Sequence, residues 1–573
     1  MRSIPFKLVG IVSLIVLAGK AWSVGGESIP ASAKPETVSR ALTEEQPAAP
    51  ARGAPPVLEP AEKAPSPLGA EAEKIKFQLN GVILDGNRVF SDQQLKLLYQ
   101  DKIGKTISVA ELFNIVQSIT NFYRNNGYII SRAILPPQHV KNGVVRIQII
   151  EGFIDKVDVA GNPRGAKCLV KAYGENIRAC PPLAIKRMEK YLLLANEIPG
   201  TTVRAVLSPS KTTTGAADLS LVTENKPIGG YVSYDNYGTR YIGPQQMTGN
   251  IALNSMIASG DATQFTYTKT PKGKELTYTD LNYNLPVGDE GIRGLFGYTR
   301  AGTHPLFVLQ PSQIDGLTNN YYTTFQFPMI RTRTESFTFR TGFNYLDSRV
   351  TTFDEPLYAD HLRNLDLGFS YNFADRFYGA NLISADLRQG LPILGYTSDT
   401  NVATAETSRP GGRGAYTKIM LQLSRLQAVK GPFSVYGIFS GQWAFNPLLS
   451  SEQFTFGGPI LGRGYDVAEL IGDRGVAGSL EARYDLAITR LLTNLQIYIF
   501  YDAGMIWNML NIEGTPRKQS ATSTGIGTRF FITKYISGNL MWTQTLTKEV
   551  AAEELIGQGR RPRVFFSLVA SLN

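Results

Sequence analysis

The stretch LQIYIFYDAG, residues 495–504, alternates between two kinds of side chain and decides the fold. In an extended chain one face carries Leu495, Ile497, Ile499 and Tyr501. The opposite face carries Gln496, Tyr498, Phe500, Asp502 and Gly504. The upstream stretch GSLEARYDL, residues 478–486, repeats the pattern with Glu481 and Arg483 on its polar face. Because a cation facing lipid costs about 2–4 kcal/mol at mid-bilayer, these faces are predicted to line a polar lumen.

The same period of two continues from about Gly229 to the C-terminus. It gives about sixteen strands, each with a connection, and most strands are long enough for a tilted bilayer crossing. Soluble sandwiches also alternate, but aromatic residues near the strand ends and alternating short and long connections favour a membrane barrel. Residues 227–573 are therefore predicted to form a 16-stranded transmembrane antiparallel β-barrel.

The N-terminus indicates export. Arg2 and Lys7 precede the apolar run Leu8–Gly19, so residues 1–23 are predicted to be a signal peptide; the alternative is an uncleaved anchor. Residues 24–72 are rich in Pro and Ala and are expected to be a linker without a core. The segment Glu36–Glu45 could form a short helix inside this linker, and whether such a helix plugs the pore stays open.

Two small α+β units follow, residues 73–152 and 153–226, each in the order β-α-α-β-β. In the first unit Ser108 and Glu111 predict a capping box at the start of a helix. The only cysteines, Cys168 and Cys180, are candidates for a disulfide in an exported protein. The alternative is two reduced thiols.

The stretch GGPILGRGYD, residues 457–466, lies in a long connection predicted at residues 447–475. If this connection folds inward, Arg463 enters a lumen that holds Asp502 and Glu481, and a guanidinium binds carboxylates through two parallel hydrogen bonds. The alternative is a solvated arginine in a glycine-rich surface loop.

These residues resemble a known superfamily, the outer-membrane insertases and translocators. The tripeptide Arg463-Gly464-Tyr465 is similar to the core of its inward-folded loop six, although Gly462 stands where valine is frequent. The stretch Phe500–Gly504 resembles its F-x-D-x-G strand motif, whose aspartate pairs with the loop arginine. The resemblance implies that Asp502, Phe500, Gly504 and Glu481 form the wall against which the loop is held.

The two α+β units resemble POTRA domains. The stretch Gly127–Gly152 is similar to the first POTRA of two-partner secretion translocators, the TpsB family of haemolysin secretion/activation proteins. This resemblance implies a monomer in the bacterial outer membrane, in contact with lipid and lipopolysaccharide, with its POTRA domains in the periplasm. It implies as partner a secreted TpsA-type exoprotein, recognised through its N-terminal secretion domain and secreted unfolded through the barrel.

Other functions fit less well. An outer-membrane assembly insertase shares the fold but carries more POTRA units, and a passive porin needs neither POTRA units nor a held loop. A TonB-dependent receptor needs a globular plug.

No enzyme, cofactor or metal is expected, because Tyr99 replaces the glycine that a P-loop needs before Gly104–Thr106, and histidines are few. The net charge of +10 is spread along the chain, which argues against nucleic acid as a partner.

Overall fold

The computed structural model describes residues 29–43, 72–271, 273–398, 407–486, 494–511 and 515–572. The predicted signal peptide and most of the predicted linker lie outside these residues. Within the described residues, no helix combines the length and the hydropathy that a membrane crossing needs.

The first α+β unit follows helix α1 (Pro35–Thr43) in the chain. Its elements are β1 (Lys76–Gln78), β2 (Gly81–Asp85), α2 (Asp92–Lys96), β3 (Thr106–Ser108), α3 (Val109–Asn125), β4 (Arg132–Ile134) and β5 (Val144–Ile150). The strand expected at the start of this unit is split into β1 and β2, because β1 pairs with β3 while β2 joins a sheet of order β2-β5-β4. The predicted capping box is confirmed: Ser108 Oγ accepts from the Glu111 amide at 3.1 Å, and the Glu111 carboxylate accepts from the Ser108 amide at 2.9 Å.

The second unit repeats the order β-α-α-β-β. Its elements are β6 (Phe153–Asn162), α4 (Lys167–Arg178), α5 (Ile185–Asn196), β7 (Thr201–Pro209) and β8 (Ala216–Asn225). The sheet order is β6-β8-β7, and α4 and α5 cover one face of it with a continuous apolar core.

The predicted disulfide between Cys168 and Cys180 is wrong, because both cysteines are free and exposed. Helix α4 explains this result. Cys168 lies in its first turn and Cys180 lies two residues beyond its last residue, Arg178, so the helix holds them roughly 15 Å apart or more, given a rise of about 1.5 Å per residue. A disulfide needs its two Cα atoms within about 7 Å of each other.

The barrel follows the second unit. In chain order the strands are β9 (Ile228–Asp235), β10 (Gln246–Asn254), β11 (Ala262–Lys269), β12 (Leu276–Val287), β13 (Ile292–Thr303), β14 (Ile314–Arg331), β15 (Glu335–Thr352), β16 (Glu355–Ala374), β17 (Gly379–Gly390), β18 (Thr417–Lys430), β19 (Phe433–Ala444), β20 (Phe454–Phe456), β21 (Leu470–Gly472), β22 (Arg474–Leu486), β23 (Asn494–Trp507), β24 (Lys518–Phe531), β25 (Ile536–Thr545) and β26 (Arg563–Leu572). A short helix, α6 (Ala551–Glu554), lies between β25 and β26.

All of these strands except β20 and β21 form one closed antiparallel barrel, sixteen strands in the part of the chain that the structure describes. The predicted fold class is therefore confirmed. The barrel closes where β26 pairs with β9, and β20 pairs only with β21 inside the connection between β19 and β22.

Side-chain burial follows the predicted alternation along β22 and β23. Asp502 is 0% exposed and Glu481 is 2% exposed, whereas the intervening Leu480 and Ile499 are 60% and 56% exposed. The charged set therefore faces the lumen and the apolar set faces lipid.

The second unit docks its helices, and not its sheet, against the periplasmic turns of the barrel. The Glu189 carboxylate accepts from the Arg333 side chain at 2.8 Å, and Glu197 pairs with Arg331 on the same turn. On the next turn Glu290 accepts from Lys190 at 2.6 Å and from the Tyr191 hydroxyl at 2.8 Å. Burial, and then this hydrogen bond, raise the pKa of the Tyr191 phenol.

We expect the variant Arg333→Glu to loosen this docking, because it places a carboxylate against Glu189. A partly exposed pair contributes about 0.2–1 kcal/mol, so the change should shift the docked population about 1.4- to fivefold. Distance distributions between spin labels on the second unit and on the barrel rim measure it. The swapped pair Glu189→Arg with Arg333→Glu should restore the narrow wild-type distribution; a distribution unaffected by the single change would contradict the docking role.

Helix α1, within the segment 24–72 that was predicted to be a linker, lies inside the barrel. The short helix itself was expected, starting at Glu36. The Glu36 carboxylate accepts from Ser348 Oγ at 2.9 Å and from the Tyr358 hydroxyl at 3.0 Å, both on the lumen face. Lys34 Nζ donates to the Ser408 carbonyl at 3.2 Å and to Ser450 Oγ at 2.9 Å. The helix is thus bound on both sides at the extracellular half of the lumen.

Candidate functional site: a loop held inside the barrel

The connection between β19 and β22 folds into the lumen and brings Arg463 to Asp502. Arg463 Nη2 donates to Asp502 Oδ1 at 2.8 Å and Arg463 Nε donates to Asp502 Oδ2 at 3.1 Å. This is the bidentate arrangement that fixes a guanidinium in both position and orientation. Both side chains are buried, so the pair is shielded from the solvent that weakens surface ion pairs.

Three further wall residues complete the Arg463 site. Arg463 Nη1 donates to Glu481 Oε2 at 2.6 Å, and Nη2 also donates to Ser479 Oγ at 2.6 Å. The guanidinium carbon lies 3.6 Å from the ring centre of Phe500, which gives a cation–π contact on the open face. The guanidinium is therefore surrounded by wall groups that β22 and β23 supply in register.

The loop backbone strengthens the same contact. The amides of Gly462 and Arg463 donate to Asp502 Oδ2 at 3.1 Å and 2.9 Å. Gly462 has a φ of +80°, and a Cβ there would lie 2.9 Å from the Gly457 nitrogen. A glycine is required at this position, because only glycine adopts this backbone conformation without strain.

Gly464 and Tyr465 bind the neighbouring strand. The Tyr465 hydroxyl donates to the Thr522 carbonyl at 2.9 Å, and the Gly464 amide donates to Ser523 Oγ at 3.3 Å. A Cβ on Gly464 would lie 2.9 Å from Ser523 Cβ, so a larger residue would push the loop off β24. All three residues of the tripeptide thus contact the wall.

Gly504 provides space for an aromatic side chain of the loop. A Cβ on Gly504 would lie 2.3 Å from the Phe456 ring, which is fully buried. Phe456 in turn lies against Tyr465, with ring centres 6.0 Å apart. The wall residues singled out in the sequence, Asp502, Phe500, Gly504 and Glu481, therefore all lie at the loop.

Glu481 is shared among three cations. Besides Arg463, it accepts from Arg483 Nε at 2.6 Å and from Arg529 Nη1 at 2.7 Å. Arg483 and Arg529 belong to the wall, whereas Arg463 belongs to the loop. Asp502 has no such second cation among the described residues, so it depends on Arg463 for its neutralisation.

Sequence reasoning missed a second set of ionic contacts at the root of the loop. Glu452 pairs with Lys418 at 2.7 Å and with Arg388 at 3.1 Å, and all three face the lumen. At the other root, Asp473 pairs with Arg409, which comes from the connection between β17 and β18. Alternation along β17 and β18 could have placed Arg388 and Lys418 in the lumen, but not named their partner.

Helix α1 holds the same root segment from the opposite side. Arg40 Nη1 donates to the Ser451 carbonyl at 2.6 Å and to the Gln453 carbonyl at 2.8 Å. Residues 450–453 therefore lie between α1 and the barrel wall. No covalent bond holds either α1 or the loop tip in place.

Comparisons with known proteins agree with this architecture. The model of the family "haemolysin secretion/activation protein ShlB/FhaC/HecB" matches residues 215–530, more than half of the chain. The model of the ShlB-type POTRA domain matches residues 77–152.

Curated relatives and solved structures cover most of the chain. The heme/hemopexin transporter protein HuxB of Haemophilus influenzae (strain 86-028NP) is 25% identical, over 77% of this chain and 78% of that protein. The outer membrane transporter CdiB of Dickeya dadantii is 21% identical, over 78% of this chain and 80% of that protein. The structure of CdiB from Escherichia coli superimposes with a TM-score of 0.72 at 16% identity, over 94% of this chain and 98% of that chain, which shows a common fold.

The closed barrel, the ShlB-type POTRA domain and the family match over more than half of the chain lead to one assignment. The chain belongs to the ShlB/FhaC/HecB family of haemolysin secretion/activation proteins, the outer-membrane transporters of two-partner secretion, with its POTRA domains in the periplasm.

Proposed function

We propose that this protein recognises a TpsA-type exoprotein through its POTRA domains and secretes it unfolded through the barrel to the cell surface. The observation that carries the proposal is the state of the lumen. Within the described residues, the segments that fill it, helix α1 and the inward loop, are held by hydrogen bonds, ion pairs and packing. A barrel of this strand number is wide enough for an aqueous channel once such segments move.

The docking of the second unit supports capture beside the pore. Its helices contact the barrel turns, and β6 and β7 are the outer strands of the sheet, each paired only with β8 among the described residues. An extended segment of an unfolded exoprotein can add to such an edge through main-chain hydrogen bonds, with little demand on its sequence. The capture step is therefore proposed at these edges and at the corresponding edges of the first unit.

Loop six would act as a tether in this scheme. Its tip is fixed by Arg463 to Asp502 and its root by Glu452 and Asp473. We infer that these fixed points hold the loop against one wall of the barrel. The loop then does not swing across the lumen and block it while an exoprotein passes. One copy of the protein suffices, because the barrel closes on itself.

The names of the relatives do not identify the cargo of this chain. By their names, HuxB is a heme/hemopexin transporter and CdiB an outer membrane transporter. The expected partner of this chain is a large, repeat-rich exoprotein encoded by the neighbouring gene, and the sequence of that gene identifies it.

Co-expression with that exoprotein tests the proposed function. We expect the exoprotein in the culture medium with the full chain, and in the periplasm when residues 73–152 are deleted. Full secretion by the deletion variant would contradict recognition through the POTRA domains. If depletion of the protein instead lowers the amounts of other outer-membrane proteins, the assembly-insertase function applies, and if it only lowers solute uptake, the porin function applies.

A further inference from the structure

Two arginines, Arg300 on β13 and Arg349 on β15, lie near each other on the lipid-facing surface, on either side of β14. Arg300 lies opposite Asn319 in the strand register, and Asn319 lies opposite Asp347. Arg349 lies two residues beyond Asp347 on the same face of β15. From strand spacing and rise, the Cα atoms of Arg300 and Arg349 are about 12 Å apart, which their long side chains can bridge.

The direction of these side chains follows from their neighbours. Thr299 and Ser348, adjacent to the two arginines, are each 1% exposed, and Ser348 binds Glu36 in the lumen. Because successive residues of a strand point to opposite faces, Arg300 and Arg349 point outward. Both are exposed.

A row of tyrosines lies directly beneath the arginines. Tyr298, Tyr321 and Tyr345 face each other across β13, β14 and β15, with ring centres 4.7 Å and 6.2 Å apart. Below them the outward positions of β15 are Phe337, Phe339, Thr341 and Phe343. Such a tyrosine row marks the boundary between hydrocarbon and head groups.

The membrane side on which this row lies is fixed by the second unit. That unit binds the turns at Glu290 and Arg333, at the opposite ends of β13 and β15. The two arginines are therefore at the extracellular end, in the head-group layer of the outer leaflet.

The two arginines form no ion pair in the part of the chain that the structure describes. Within the described ranges, no carboxylate lies at salt-bridge distance from either guanidinium. Asp347, between them, is already paired with Arg363 at 2.9 Å and hydrogen-bonded to His361 at 2.7 Å. Asp315, on the same face, is bound to His304 at 2.8 Å.

A groove opens on the same outer face immediately below. Its volume is about 570 Å³, and its lining residues are Phe296, Gly297, Tyr321, Tyr322, Thr323, Phe343 and Tyr345. Thr323 lies between Phe296 and Phe343 in the register, and its small side chain forms the floor between two aromatic walls. The Arg363 guanidinium stacks 3.4 Å above the Tyr345 ring and fixes one wall.

We propose that this surface binds a phosphorylated glycolipid of the outer leaflet. Its phosphate lies between Arg300 and Arg349, and one acyl chain lies in the groove over Thr323. Arginine suits this role because its planar fork binds phosphate oxygens through paired hydrogen bonds. The adjoining apolar groove selects a lipid over a free phosphate ion. The bound lipid would anchor the long strands β14–β16, whose lumen faces hold α1.

Binding of lipid A to the full chain tests the site. The probe is the diphosphorylated glycolipid, added to delipidated protein in detergent and followed by native mass spectrometry. We expect the variant R300Q/R349Q to bind it about tenfold or more weakly than the wild type, because two charge-assisted contacts are lost. The variant R300K/R349K keeps the charge but loses the paired hydrogen bonds, so its affinity should lie between those of the wild type and R300Q/R349Q. Thr323→Phe should weaken binding by filling the groove.

The matched control is R376Q/K430Q, which removes two cations from periplasmic turns at the other end of the barrel and should bind as the wild type does. Heat-modifiable mobility on gels verifies that each variant is folded. Equal binding by R300Q/R349Q and the wild type would overturn the proposal. So would equal affinity for the dephosphorylated glycolipid, or displacement of the glycolipid by an equimolar amount of inorganic phosphate.

Discussion

The variant Arg463→Ala is expected to cut exoprotein secretion about tenfold or more while the barrel still inserts. The change leaves Asp502 buried without a cation among the described residues, and an unpaired buried charge costs about 3–5 kcal/mol. The loss of Arg463 costs less free energy at Glu481, because Arg483 and Arg529 still neutralise this carboxylate. The loop tip is therefore expected to leave the wall, while the barrel strands keep their pairing.

Exoprotein in the culture medium, measured by immunoblot against the amount of folded barrel in the outer membrane, checks this expectation. Arg529→Gln is the matched control, since it removes a guanidinium from the same Glu481 without touching the loop. It should secrete nearly normally. Arg463→Lys keeps the charge but loses the bidentate fork, so it should fall in between. Normal secretion by Arg463→Ala would show that the tether has no part in transport.

Deletion of residues 29–43 is expected to give the largest change in channel conductance. The deletion removes α1 and the residues before it from the extracellular half of the lumen, where Glu36, Lys34 and Arg40 now bind both the wall and the loop root. A sixteen-stranded barrel without such a segment encloses an aqueous channel. We expect conductance to rise several-fold in planar bilayers, and cells to take up antibiotics that are too large for ordinary porins.

Single substitutions distinguish the effect of the hydrogen bonds of α1 from the effect of the volume that α1 occupies in the lumen. Glu36→Ala removes the buried acceptor of the Tyr358 hydroxyl and one of the two partners of Ser348 Oγ, so it should increase the frequency of channel opening. Thr43→Ala, at the end of α1, loses one hydrogen bond to the wall, at Tyr278, and one within the helix, to the Ser39 carbonyl, and serves as the control. A deletion variant with the conductance of the wild type would mean that α1 does not obstruct the channel.

Much of the candidate site could be predicted because its pieces are local. Alternation within two short stretches of sequence predicts that Asp502 and Glu481 lie on the lumen face of the wall. The glycines around Arg463 indicated a loop that approaches another backbone closely. Neither inference needed a contact between distant residues.

The root of the loop and α1 could not be predicted in the same way. Glu452 has no pattern around it, and its partners Lys418 and Arg388 lie on strands far from it in the chain. Helix α1 is nine residues long and precedes a Pro-rich stretch, and an isolated helix of that length is not stable in water. It is ordered because the lumen buries it. The predicted disulfide between Cys168 and Cys180 was wrong for a related reason, because a helix rather than a flexible loop joins the two residues.

The sequence by itself determined the barrel, the two α+β units and the lumen-facing residues, because strand alternation and helix capping depend on neighbours along the chain and on the contrast between lipid and water. Only the tertiary structure decided which charges meet, where the loop root is fixed, and that a segment rich in Ala and Pro fills the lumen. Those contacts join residues hundreds of positions apart, such as Glu36 with Ser348 and Lys34 with Ser450. Their free energy is gained only when closure of the barrel has removed water from both partners.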